Sequence, residues 1–334
     1  MRILVGLATV LALAGCTATS SSVTPSPTEA APSTGITVEV WIDQELSESF
    51  AVFAEQFKLD TGNNLEVVVK DFYALETEFP TQAPNGPDLV VGANEWVSSW
   101  LASGAIAQVP LYTLEPYESV SEVFTRGAVN YGLPYATENA GLICNADQVS
   151  SAPKNWEDLI SKGVKLPINP GGDPYLMQSI QSSFGVELFE KSEAGEYSNK
   201  LALAGESGFK FASWLRGNSM DFPQLDYTAA TELFVTGQTP CWYTGMWAIP
   251  AIKERVTFNL AAYPMPSAGG EVAAPFGASR AFFLNSQAEH PDQARAFLEL
   301  LASDSAQQLI YETTGRQPVT DAFKGSIPDE VMRG

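Results

Sequence analysis

Asp173 and Tyr175, two residues apart in one loop, put a carboxylate beside an aromatic ring. That pairing suits non-covalent capture of a neutral polyol. The ring covers an apolar C–H face, and the acid accepts from hydroxyls that lose water on binding. Trp247, in Thr244-Gly245-Met246-Trp247, is either a second such ring or a core tryptophan at a helix start. Asp173 and Glu95 also fit a helix N-cap and a first-turn acid, roles compatible with ligand contact. Glu138 stands in the polar knot Thr137-Glu138-Asn139, just before the apolar run 140–144. It belongs either on a solvated loop or in a cleft where the chain passes from one lobe to another.

The rest of the composition narrows the chemistry. His290 is the single histidine and precedes Pro291, which reads as the first residue of a helix. Histidine-dependent triads and multi-histidine metal sites are therefore excluded, and no cofactor is called for. With 18 Lys and Arg against 39 Asp and Glu, a formal charge of -21, the chain repels a phosphate backbone, so nucleic acid is not a partner. At 334 residues and 45% hydrophobic it can bury enough apolar surface for two lobes.

Periodicity supplies the elements that must position these residues. Residues 36–42 alternate like a strand, and Phe50, Phe53, Ala54 and Phe57 share one helix face before Gly62. Residues 65–69 then read as a second strand, giving a βαβ start and an α/β fold with a parallel sheet. A helical segment over 75–79, the buried strand 88–92 and a helix from Asn94 bearing Trp96, Val97, Trp100 and Leu101 follow. Ligands of open α/β sheets sit at the carboxyl ends of strands, which singles out Asp43, Glu45, Glu95 and Trp96. Beyond Glu138, Asn155 caps a helix carrying Trp156 and Leu159, and 164–168 is strand-like. Helices are expected after Tyr175, over 199–215 and over 228–235; strands over 241–243 and 280–284; a last helix follows Pro291.

The N-terminus reads as an export segment, with Arg2 before the apolar stretch 3–14. Leu13-Ala14-Gly15-Cys16 resembles a bacterial lipobox, which implies acylation of Cys16 and a lipid anchor at the outer face of the cell membrane. The alternative is an ordinary signal peptide with an incidental cysteine. Residues 16–35, rich in Ser, Thr and Pro, form a tether. Cys144 and Cys241 lie in runs that could be neighbouring strands, so outside the cytoplasm they are either bridged or two buried thiols.

Five motifs in order carry a resemblance: Leu75-Glu-Thr-Glu-Phe-Pro80, Asn85-Gly-Pro-Asp-Leu-Val-Val91, Gly132-Leu-Pro-Tyr-Ala-Thr-Glu138 with its continuation to Asn145, Phe234-Val-Thr-Gly237 and Thr244-Gly-Met-Trp-Ala248. Together they resemble the maltose-binding family of ABC-transporter solute-binding proteins over nearly all of residues 36–323. The resemblance implies a type II periplasmic-binding fold, two α/β lobes that close on a sugar about crossovers near 136–139 and 275–279. It divides the chain into residues 36–136 and 274–318 for the first lobe and 137–273 and 319–334 for the second. By position, Trp247 and Tyr175 would stack on the sugar and Asp173 and Glu138 would accept from its hydroxyls. Glu45 and Glu95 would offer carboxylates from the first lobe.

What the resemblance implies in function is a monomeric extracellular binding component that hands an oligosaccharide, an alpha-glucoside of the maltodextrin type first, to a membrane permease. Gly92 stands where the family often has an aromatic, and Trp96 where a basic residue is common. The sequence ends at Gly334, where family members usually continue with helices on the second lobe, so the expectation is either a shortened member with a more open site or an incomplete reading frame. The competing class is a secreted glycoside hydrolase, which requires two cleft carboxylates at a defined separation.

Overall fold

A computed structural model describes residues 34–192 and 197–322. The export segment, Cys16, nearly all of the tether and residues 323–334 lie outside the described residues. Among the described residues no helix is long and apolar enough to cross a membrane.

The β-branched strand Thr37–Ile42 pairs in parallel with Asn64–Val69 and with Leu89–Ala93, whose residues are all buried. Helices Ser47–Thr61, Phe72–Gln82 and Pro291–Leu301 cover this sheet. Phe50 and Phe57 meet Phe297 edge-on at 5.7 and 5.2 Å between centroids, and Trp100 packs on Phe79 and Phe283. Burial of these rings makes the first core, and the expected Pro291 start is seen.

One long strand, Leu133–Asn145, links that core to the rest. Its first half pairs antiparallel with Gly277–Asn285, which also pairs with Leu89–Ala93. Its second half pairs with Cys241–Gly245 and Leu260–Tyr263. A single sheet thus runs through two α/β lobes, and the crossings at residues 136–139 and 277–280 are hydrogen-bonded neighbours. On the far half, Leu142, Trp156, Phe222 and Tyr243 pack on one face and Ile143, Phe234, Trp242 and Ile252 on the other.

Cys144 and Cys241 lie opposite each other in this sheet and form a disulfide. The bridge closes a separation of 97 residues, so it restricts the unfolded chain strongly. Cys241→Ala is expected to lower the unfolding free energy by about 2–4 kcal/mol, read by urea denaturation; an unchanged midpoint would show that the bridge adds nothing to the fold.

Three expectations are corrected. The helix expected over 199–215 begins as the strand Tyr197–Leu201, which pairs with Phe189–Lys191, and the helix itself is Glu206–Gly217. Residues 164–168 form one bridge, Ile168 to Gln224, in place of a strand. Pro223 lacks the N–H with which a longer ladder would reach the Leu166 carbonyl. Val319, expected in the second lobe, is buried in the first core, and its carbonyl accepts from Tyr117 N at 2.8 Å.

Candidate functional site

Tyr175 of the second lobe meets two rings, Trp247 of the same lobe and Phe276 of the crossing segment 275–279. Asp173 caps the helix Pro174–Ser182, accepting from Leu176 N at 3.1 Å and from Asn169 Nδ2 at 2.9 Å. With Pro174 at the first helical position, this fixes Tyr175 on the first turn. Trp247 stands on the turn Met246–Ala248 after strand Cys241–Gly245. Its indole folds back over Gly245 so closely that a Cβ there would lie 1.8 Å from the ring. Tyr175 is 6.2 Å from Trp247 and 5.8 Å from Phe276, centroid to centroid. All three rings are half-buried, unlike the core aromatics. Burial raises the Tyr227 hydroxyl above its ordinary pKa, against the lowering influence of the neighbouring Thr244 and Trp247 side chains.

Two first-lobe side chains act on Tyr175 electrostatically. Burial raises the Tyr175 hydroxyl above its ordinary pKa, and the charges of Glu95 and Tyr73 raise it further. Both therefore lie within electrostatic reach of Tyr175 from across the lobes. Glu95 is exposed, on the turn Asn94–Trp96 that follows strand Leu89–Ala93.

The remaining acidic candidates, at the crossing, are tied up. Arg280, on strand Gly277–Asn285, places Nη1 2.8 Å from Asp43 Oδ2 and 3.1 Å from Glu45 Oε1. Its Nε lies 2.9 Å from Glu138 Oε1, pairing the charges without an aligned hydrogen bond. Arg316 chelates Glu45 through Nε at 2.7 Å and Nη2 at 2.5 Å, and its Nη1 contacts Glu138. Gly315, left-handed at φ 66°, ends helix Asp304–Thr314 and turns the chain so that Arg316 reaches the crossing. Burial raises the Asp43 carboxyl, and Glu45 adds to it against the lowering pull of both arginines. Burial also acts to raise Glu45, but hydrogen bonds and charge from Arg316, then Arg280, outweigh it and hold that carboxyl below the ordinary range.

The structure therefore brings Tyr175 and Trp247 together with Asp173 at the cap of the same helix, leaves Glu95 in electrostatic reach of Tyr175, and reassigns the rest. Asp43, 4% exposed, and Glu138 are ion-pair partners of arginine where hydroxyl acceptors were expected. Glu45 keeps an exposed edge but is chelated by Arg316. Trp96 is also corrected: it is buried against Phe72 at 4.8 Å and Trp100 at 5.4 Å, in the core and out of reach of a ligand. Sequence reading missed Phe276, Arg280 and Arg316. The signal for Arg280 was present, because a guanidinium inside an apolar strand requires buried acids.

Cavities also lie elsewhere among the described residues. One of about 560 Å³, lined by Val52, Phe57 and Leu309, opens on the helices of the first core and touches none of these rings. A second, about 350 Å³, sits beside the crossing at Asn139, Met246, Pro275 and Gln317.

The sequence profile described as bacterial extracellular solute-binding protein matches residues 53–330. A maltotriose-binding protein of Pyrococcus abyssi (strain GE5 / Orsay) is 23% identical over 287 residues, 78% of this chain; the chain spans 61% of that relative's length. The maltodextrin-binding protein MdxE of Bacillus subtilis (strain 168) is 22% identical over 95% of this chain and 80% of its own. The solved structure of a Thermus thermophilus maltotriose-binding protein superposes with a TM-score of 0.73 at 25% identity, covering 89% of this chain and 85% of its own.

Proposed function

We propose that this chain, which belongs to the family of bacterial extracellular solute-binding proteins, captures a maltodextrin-type oligosaccharide between its lobes and delivers it to the permease of an ABC importer. The family is one of binding proteins and not of enzymes. Its division is residues 36–136 and 274–321 for the first lobe and 137–273 for the second. Cys16 is the point of lipid attachment, which holds the molecule as a monomer at the outer face of the membrane.

The observation that carries the reading is the ring wall of Tyr175, Trp247 and Phe276, with Asp173 capping the helix that bears Tyr175 and Glu95 in electrostatic reach of it. Sugar rings offer apolar faces to such a wall and hydroxyls to such acids. The relatives named for maltotriose and maltodextrin support an alpha-glucan as the ligand. Asp43, Glu45 and Glu138 are neutralised by arginine, which leaves them unsuited to acid and base roles at a glycosidic bond. Closure is favoured by ligand because only the closed arrangement lets both lobes touch it.

The test is a tryptophan-fluorescence titration of the full chain with maltose, maltotriose, trehalose and a cyclodextrin, with product analysis. A saturable signal with maltotriose and no released glucose is expected. Absence of binding to every member of the panel, or turnover, would overturn the proposal.

A further inference from the structure

We infer that Tyr73 is the aromatic jaw of the first lobe, closing on the sugar face opposite Tyr175 and Trp247. The inference rests on the sugar-binding reading above and names a contact residue that the motifs do not supply.

Tyr73 is 77% exposed, the most exposed aromatic side chain among the described residues. An aromatic ring left in water so fully gains nothing for the fold; its apolar area becomes useful only when something covers it. Yet its backbone is held firmly. It is the second residue of helix Phe72–Gln82, whose N-cap Asp71 accepts from Ala74 N at 2.9 Å. Its neighbour Phe72 is pinned on two sides: the Arg280 guanidinium lies 3.8 Å over the ring, and Trp96 packs on it at 4.8 Å. Tyr73 meets the edge of Phe72 at 5.5 Å and 79°. The chain of contacts runs from the crossing strands through Arg280 and Phe72 to Tyr73, so this exposed ring stands beside the interlobe crossing. The raised Tyr175 hydroxyl reports the same proximity from the other lobe, since Tyr73 is one of its electrostatic neighbours.

Other first-lobe positions cannot fill the role. Gly92 has no ring, and even a Cβ there would lie 2.6 Å from the Trp100 ring. Trp96 is buried, and Phe72 is held beneath Arg280. A sugar clamped between Tyr73 and the ring wall has both faces covered, whereas without Tyr73 one face stays in water.

Two measurements on the full chain test this, with maltotriose as the probe. Tyr73→Ala is expected to raise the dissociation constant about tenfold or more, whereas Tyr73→Phe, which keeps the ring, stays within about threefold. Thermal midpoints should match the parent, because the side chain is exposed. In the unaltered protein, tetranitromethane should nitrate Tyr73 when free, and maltotriose should protect it, while exposed Tyr197 on the hairpin remains reactive in both states. A parent that binds with Tyr73→Ala unchanged, or Tyr73 nitrated equally with and without sugar, overturns this assignment alone. A parent that binds no glucan overturns the functional reading and this inference with it.

Discussion

Trp247→Ala is expected to raise the dissociation constant for maltotriose about a hundredfold or more while the fold survives. Three features concentrate the effect on this residue. Its indole is the largest ring of the wall, so it offers the most apolar area to a sugar face. It is folded closely over Gly245, so little conformational entropy is lost when ligand arrives. Truncation also removes the surface against which Tyr175 leans at 6.2 Å. The fold should tolerate the change because Trp247 packs only at the margin of a second-lobe core built on Phe234, Trp242 and Ile249. Isothermal titration calorimetry gives the affinity and a thermal melt gives the fold. Trp247→Phe should recover part of the loss. Full affinity in Trp247→Ala would place the sugar elsewhere in the molecule.

The elements of the first lobe were legible because each obeys a local rule. Phe50, Phe53 and Phe57 fall at helical spacing and are buried on one face, and the run at 88–92 lies within the fully buried strand Leu89–Ala93 and its approach. The neighbouring strands of Cys144 and Cys241 were also readable as paired apolar runs. What failed was competition between two rules at one residue. Trp96 lies just past a strand end, where ligands bind, but it also shares a helical stripe with Val97 and Trp100, and the core took it. Glu138 stands just before an apolar run, but its partners Arg280 and Arg316 lie 142 and 178 positions later (280 − 138 and 316 − 138). Local patterns carry no information over such separations. Phe276 was hidden for a different reason: it lies in irregular chain, where no periodicity marks the direction of a side chain.

Arg280→Met is expected to destabilise the fold by about 3–5 kcal/mol at neutral pH, because it leaves buried carboxylates without their shared cation. Arg280 is 7% exposed and is, among the described residues, the arginine paired with Asp43, while Glu45 and Glu138 retain Arg316. The substitution also removes the cation seated over Phe72. The pH dependence gives the signature. In the parent, Glu45 is held low, so its contribution is present above the ordinary glutamate pKa and is lost as pH falls through the lowered one. Asp43 is raised and acts in the opposite sense, with stability lost as pH rises through its raised value. Without Arg280, one of the two pulls that restrain Asp43 is gone, so its pKa climbs further and its unfavourable arm deepens. The deficit of Arg280→Met relative to the parent should therefore be largest near pH 7 and shrink toward pH 4.5, as Asp43 takes up a proton. Urea denaturation at the two pH values measures it, and Asp43→Asn added to Arg280→Met should restore part of the neutral-pH loss. A deficit under about 1 kcal/mol that does not change with pH would mean the cluster is no more than a solvated surface pair. Asp43 and Glu138 would then be free to accept from a ligand, and the division drawn here, in which rings bind and the acids at the crossing hold the lobes together, would be wrong.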